Sequence, residues 1–226
     1  IEPCIQKHIE IMDKYDPKGE VDLLVDEWGT WFDVEPGTDP GHLFQQSTMR
    51  DAIVASVSLD IFHKYTRRIK MANIAQVVNV LQSMILTKGD QMVLTPTYHV
   101  FEMYKPHQNA EFIPVDYPQN IINWNEKGSV PSLSATASRK DGVINVGVTN
   151  IDLKNAQKIV ISWDSMGKPK NTNVSARILA AAKMTDYNDF GQAPKVAPKA
   201  FTDFKVTEQG IELTIPAMSI ITFAIK

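Results

Sequence analysis

The sequence predicts two fold classes in succession: an α/β part with a parallel sheet, then an all-β antiparallel sandwich. Three observations carry this. A short apolar run, Val21 to Val25, stops abruptly in Asp26-Glu27-Trp28-Gly29. Up to about residue 109, helical patterns alternate with apolar strand candidates, as parallel strands joined by crossover helices require. From about Ala110 the apolar period becomes two, and short strands recur between turn residues.

The first element is a helix. Ile5, His8 and Ile9 begin an amphipathic pattern that continues to Tyr15, and Asp16-Pro17-Lys18-Gly19 stops it with turn chemistry. Val21 to Gly29 then reads as a strand buried on both faces. The polar stretch from Asp33 to His42 is too long for a routine connection and is a candidate site loop. Ser47 or Thr48 can cap the next helix, with Asp51 three after Thr48 as a capping-box variant. That helix carries Met49, Ile53, Val57, Ile61 and Tyr65 at helical spacing. Met71 to Val78 is the second strand candidate, and a loop through Gly89 leads to Thr95-Pro96, where Thr caps and Pro opens a helix to Lys105. Two strands cannot close a barrel, so residues 1–109 are an incomplete α/β unit.

Residues 110–226 are expected to form the sandwich. Ser132 to Ala137 and Val143 to Val148 alternate around Lys140-Asp141-Gly142, a hairpin signal. Further strands are expected at Ile159 to Ile161, Ser175 to Leu179, Phe204 to Val206, Ile211 to Ile215 and Ser219 to Ile225.

Bulk properties narrow the function. The 226 residues are 43% hydrophobic, enough for a proper core, and carry a formal charge of -3. That balance gives no electrostatic case for nucleic acid or an anionic membrane as partner, and Arg67-Arg68-Ile69-Lys70 reads as a solvated helix end. No apolar stretch approaches the roughly 20 residues of a membrane span, so a soluble protein is expected. The lone Cys4 excludes an internal disulfide. His8, His42, His63, His99 and His107 show no paired ligand spacing, so no metal is expected. Phosphate-loop and serine-elbow motifs are absent. The chain opens Ile-Glu-Pro without Met, and a fragment or a chain separated from an upstream part is expected.

The residues that could carry chemistry are Asp26 and Glu27, because carboxylates at the carboxyl end of a barrel strand are where such folds keep their reactive groups. Trp28 beside them fits a sugar, whose C–H face packs on indole while a carboxylate handles the reacting carbon. On the residues alone, Glu27 could equally be a structural acid, Trp28 and Trp31 core aromatics, and Asn73 and Gln76 polar groups bonded within the fold. His42 reads as a solvated loop residue.

Four stretches carry a resemblance: Val25-Asp26-Glu27-Trp28-Gly29-Thr30-Trp31, Gln46 to Ala52, Lys70-Met71-Ala72-Asn73-Ile74-Ala75-Gln76, and Leu94 to Phe101, with Met184 to Phe190 later in the chain. In this order they resemble the C-terminal portion of an α-L-arabinofuranosidase of glycoside hydrolase family 51. The resemblance implies the C-terminal part of a (β/α)8 barrel over residues 1–109, followed by a β-sandwich over residues 110–226. It implies retaining hydrolysis of terminal arabinofuranosyl residues, with Glu27 as nucleophile at the end of the seventh strand. Gln76 and Asn73 would lie on the eighth strand near the sugar and Trp31 in the pocket, with no cofactor. The family's general acid/base is a Glu in an Asn-Glu pair on an earlier strand. Here Asn125-Glu126 falls in apparent linker, so the acid/base is expected in a missing N-terminal part of the same protein.

Retaining hydrolysis needs two carboxyl groups roughly 5–5.5 Å apart. A nucleophile alone forfeits roughly 10²–10⁴ of rate from acid catalysis, so the isolated chain is expected to be inactive. The resemblance implies a carbohydrate substrate such as arabinan or an arabinoside, and a homo-oligomer, and leaves cytoplasm and periplasm open. The rival reading is a carbohydrate-binding or interaction module built on the sandwich, with Trp124, Trp163, Tyr187 and Phe190 as its scattered aromatics.

Overall fold

A computed structural model describes residues 1–118, 120–123, 126, 128–164 and 173–226. Helix α1 spans Glu2–Tyr15 and leads through the Asp16-Pro17 turn into strand β1, Leu23–Trp28. Helix α2, Met49–Lys64, returns the chain to strand β2, Ile69–Ile74, which pairs with β1 in parallel. The turn before β1 is pinned by Arg68, 1% exposed, whose guanidinium donates to Asp13 Oδ1, Asp16 Oδ2 and the carbonyls of Asp16 and Val21. The backbone N–H of Val21, then Arg68 and the backbone N–H of Glu20, hold the Asp16 carboxyl down at about 2. The basic run at 67–70 is therefore partly a buried staple and not simply a solvated helix end.

The β1–β2 pair is covered on one side only. Leu23, Val25 and Trp28 join a core with Ile5, Ile9, Ile53, Phe62, Ile74 and Phe101 from the helices and β2. Val21 is 59% and Leu24 48% exposed, as is Met71 at 51%. The expectation of burial on both faces is thus not met, because β1 has β2 as its only paired strand among the described residues and no layer lies over its other side. The second strand is also shorter than its apolar run predicts: Val77 and Val78 lie beyond β2 and are exposed.

A hairpin absent from the sequence reading follows, β3 (Ile85–Lys88) with β4 (Gln91–Leu94), closed by Gly89-Asp90. Its strands have four residues each, too few for alternation to register. Thr95 then accepts a hydrogen bond from Tyr98 N and Pro96 opens helix α3, Pro96–Tyr104, as capping chemistry predicts.

After a 3-10 turn at Lys105–His107, strand β5 (Glu111–Ile113) joins the edge of a six-stranded sheet. Strands β6 (Ile121–Asn123) and β7 (Ser129–Pro131) form a small hairpin. Asn125 and Trp124, which the sequence singled out there, lie outside the described residues. The main sandwich strands are β8 (Leu133–Lys140), β9 (Val143–Asn150), β10 (Gln157–Ser162), β11 (Val174–Ala180), β12 (Lys199–Ala200), β13 (Phe204–Val206), β14 (Gly210–Ile215) and β15 (Ser219–Ile225). The β8–β9 hairpin closes through Asp141 and Gly142, both at positive φ, the two-residue loop that matches strand twist.

Two antiparallel sheets result, in the orders β12-β11-β15-β9-β8-β5 and β10-β14-β13. Val146, Val148, Ile221, Phe223 and Ile225 of the large sheet pack with Ile211, Leu213 and Ile215 of the small one. Trp163 is buried in the same core and donates from Nε1 to Thr207 O at 3.1 Å, which removes it from any sugar-stacking row. The opposite face of the large sheet carries Ser134, Thr136, Ser138 and Thr149 and lies on α2 and α3, while Leu179 and Ile220 extend the helical core into it. No helix among the described residues is long and apolar enough to cross a membrane.

Candidate active site

The carboxyl end of β1 is irregular. Val25 pairs with Ala72 and Trp28 with Ile74, so Asp26 and Glu27 together stand opposite the single residue Asn73. This is a bulge of one residue. It lets Val25 and Trp28 both face the core, although they are three residues apart, and leaves Asp26 and Glu27 both exposed. Trp28, 5% exposed, is fixed by the edge of Phe62 at 5.2 Å and a stacked Phe101 at 5.9 Å. Glu27 is therefore attached to an immobilised indole on one side and to a paired strand on the other.

Asn73 Nδ2 donates to Asp26 Oδ1 at 3.1 Å, so the structure brings these two together across the strand pair. Gln76 sits just past the end of β2, and Trp31, 64% exposed, two residues beyond Gly29. Glu27, Asn73, Gln76 and Trp31 all present exposed side chains at the same end of the β1–β2 pair. Trp28 takes the core role that was one of its two sequence readings. His42 is a solvated loop residue, its Nε2 3.9 Å from Asp39 Oδ2.

The segment after β1 is held by buried polar groups. Thr30 Oγ1 donates to Asp51 Oδ1 at 2.6 Å. Gln82, 1% exposed, donates from Nε2 to Thr30 O at 2.9 Å and also to Thr30 Oγ1 and Asp51 Oδ1. Gln45, 2% exposed, accepts from Phe32 N at 2.8 Å and donates to Thr30 O at 3.2 Å. Gly29 adopts φ +128, and a Cβ there would lie 2.5 Å from Gln82 Cγ, so only glycine admits this closure. Farther along, Glu35 accepts from Gln46 N at 2.9 Å, and Arg50 stacks 3.8 Å over Phe32 while donating to Asp51. The long loop is thus an ordered structure built against the start of α2.

That helix start is itself held from the sandwich. Asp51 closes the predicted capping box by accepting from Thr48 N at 2.8 Å. Met49 N and Arg50 N donate to the carbonyls of Asp186 and Met184 at 2.9 and 3.0 Å, satisfying first-turn donors that have no partner within the helix. Asn188, 3% exposed, donates to Leu94 O at the end of β4. The Met184 to Phe190 stretch therefore connects the sandwich to the elements beneath the carboxylates. Among the described residues no three His, Cys, Asp or Glu side chains converge as a metal cage requires.

A family model described as the alpha-L-arabinofuranosidase C-terminal domain matches residues 26–219. The chain belongs to this family. An arabinofuranosidase from Bacteroides ovatus, named as an intracellular exo-alpha-L-arabinofuranosidase, is 51% identical over 100% of this chain and 44% of that protein. The crystal structure of the GH51 arabinofuranosidase from Xanthomonas axonopodis pv. citri is 43% identical, with a TM-score of 0.94 over 100% of this chain and 45% of the other. An alpha-L-arabinofuranosidase from Thermotoga maritima, solved as an arabinose complex, has a TM-score of 0.77 at 23% identity over 99% of this chain and 46% of that one, and bears on the fold alone. The chain spans less than half the length of the curated relative. These matches bear out the resemblance to family 51 that the motifs carried.

Within this arabinofuranosidase C-terminal domain, sequence reasoning did not identify Thr30, Gln45 and Gln82 as part of the site's support, and it gave Asp51 only a capping role. A Gln that follows Val80-Leu81 and precedes Ser83-Met84-Ile85 is the one local signal that could have pointed to Gln82.

Proposed function

We propose that this chain is the C-terminal part of a retaining α-L-arabinofuranosidase, with Glu27 as its nucleophile. The observation that carries the reading is the bulge that presents Glu27 on the open side of a parallel strand pair, at the carboxyl end where barrel enzymes hold their reactive groups. The names of the relatives support the substrate class. Residues 1–109 then form the last strands and helices of a (β/α)8 barrel and residues 110–226 the β-sandwich domain. The exposed Val21, Leu24 and Met71 are the side chains that the rest of the barrel would cover.

In this mechanism a Glu27 carboxylate oxygen attacks the anomeric carbon of a terminal arabinofuranosyl unit. The glycosidic C–O bond breaks, and the departing oxygen takes a proton from a general acid supplied outside this chain. Water then attacks the glycosyl ester, its proton passing to the same group acting as base, and arabinose leaves with its configuration retained. Trp31 provides an apolar wall for the sugar, and Gln76 and Asn73 contact its hydroxyls. Asp26, hydrogen-bonded to Asn73, orients that amide. The word intracellular in the name of the Bacteroides ovatus relative favours the cytoplasm, and hence arabinosides small enough to have entered the cell.

The reading is tested with the full-length polypeptide on an aryl α-L-arabinofuranoside. Glu27→Ala is expected to abolish hydrolysis, and added azide is expected to restore turnover by giving the arabinosyl azide of inverted configuration. Hydrolysis at the parent rate by Glu27→Ala would remove Glu27 as nucleophile. The 226-residue chain alone is expected to be inactive, and turnover by it would show that the second carboxyl lies within it.

A further inference from the structure

We propose that Gln82 is a positioning residue for this reaction: a buried amide that ties the segment following Glu27 to the segment following β2, and so fixes the nucleophile relative to the sugar-contacting side chains. The inference rests on Glu27 being the nucleophile.

Three observations carry it. Gln82 belongs to the connection that begins with Gln76, yet its Nε2 reaches back 52 residues to Thr30 O and on to Asp51 Oδ1 at the start of α2. One side chain of the connection after β2 therefore reaches both the segment after β1 and the first turn of α2. Its fit against Gly29 is tight enough that any Cβ at Gly29 would overlap Gln82 Cγ, so the amide fixes the backbone two residues beyond Glu27. Gln82 Oε1 has no hydrogen-bond partner among the described residues, so the whole tie runs through Nε2 and its donated protons.

The role is positional because Gln82 is 1% exposed and its polar contacts are to protein groups on the core side of the segment. A displacement of about 1 Å at a reacting group can cost on the order of 10²-fold in rate. Two buried ties act in parallel on Thr30 O, from Gln82 and Gln45, so loss of one should allow partial displacement without releasing the loop.

The test uses the full-length enzyme. Gln82→Met keeps the volume and removes the donor; kcat on an aryl arabinofuranoside is expected to fall roughly 10- to 100-fold with KM changed less than about threefold. Gln82→Glu supplies the readout that a merely structural role would not move. When protonated, the introduced carboxyl can donate to Asp51 or Thr30; when ionised it repels Asp51. Its kcat is expected to approach that of the parent at low pH and to decline as pH rises, on a limb the parent lacks. Parent-like kcat and pH profile in both variants would overturn the proposal. So would a loss confined to KM. If Gln82→Met does not fold, Thr30→Val cuts part of the same tie from the other partner and carries the same expectation and the same refutation. Glu27→Ala measured alongside separates the two ideas: activity surviving in that variant refutes the nucleophile, whereas a silent Glu27→Ala with unaffected Gln82 variants refutes only the positioning role.

Discussion

Ser134 on β8 donates a hydrogen bond of 2.6 Å to Asp60 Oδ2 on α2, joining the sandwich to the helical layer. Tyr104 on α3 donates to the other oxygen at 3.0 Å, so one carboxyl lies where three elements meet. The surrounding contacts are also polar: His63 Nδ1 lies 3.0 Å from Thr136 Oγ1, His107 Nδ1 2.7 Å from Ser138 Oγ, and Thr149 Oγ1 donates to Ser56 Oγ at 3.0 Å. A contact of this kind is specific in geometry and sensitive to protonation.

Asp60 makes the first prediction. Burial pushes its pKa up to about 7 from the ordinary 3.8, outweighing the hydrogen bonds from Ser134 and Tyr104. Between those values the folded state holds a proton that the unfolded chain has released. Its contribution to stability therefore falls as pH rises through that window and is constant above it. Asp60→Asn abolishes this titration. The difference in Tm, variant minus parent, is expected to increase from about pH 4 to about pH 7 and then level off; the same difference at every pH would refute the account.

The two histidines act with the opposite sign. Burial holds His63 down at about 4 and His107 at about 3, the latter also repelled by His63, whose ring lies 5.0 Å away. Below the ordinary 6.5 the unfolded chain takes up two protons that the folded protein refuses, so stability is lost as pH falls toward 4. Two such groups lose ~2.7 kcal/mol per pH unit and Asp60 returns ~1.4, leaving a net loss of ~1.3. In the double variant His63→Gln, His107→Gln, urea unfolding at pH 4.5 and 7 is expected to show a much weaker acid loss. An acid dependence equal to the parent's would exclude the histidines as its source.

Gly147 makes a steric prediction. A Cβ at this position on β9 would stand 2.9 Å from Tyr104 OH and 3.1 Å from its Cζ, displacing the phenol that donates to Asp60. Gly147→Ala is expected to cost about 1–3 kcal/mol of stability. Tyr104→Phe removes the nearer of these two atoms, so the double variant should be less destabilised than the sum of the single ones. Additive losses in denaturant titrations would show that the clash is relieved elsewhere.

Much of the local structure was legible in the residues. The Thr48 and Asp51 capping box, the Thr95-Pro96 start of α3 and the Asp141-Gly142 turn each depend on groups within a few positions of one another. Alternation located β8, β9, β14 and β15 through residue type, apolar against small or polar, even though β9 is buried on both faces. It did not reveal β3, β4 and β5, which are too short, and it overran β2, because an apolar residue such as Val77 looks the same whether paired or exposed.

The sequence by itself determined the chemistry available at the end of β1, through Asp26, Glu27 and the motifs that place the chain among arabinofuranosidases. Tertiary structure alone decided how those groups are held. The bulge opposite Asn73 turns Glu27 out while Trp28 turns in. Gln82 meets Thr30 across 52 residues, and Ser134 meets Asp60 across 74. Caps and turns are settled by hydrogen bonds between near neighbours, which a short stretch of residues specifies. Pairings between distant residues exist only once two packed layers have set the distance and excluded water, and no local pattern encodes that.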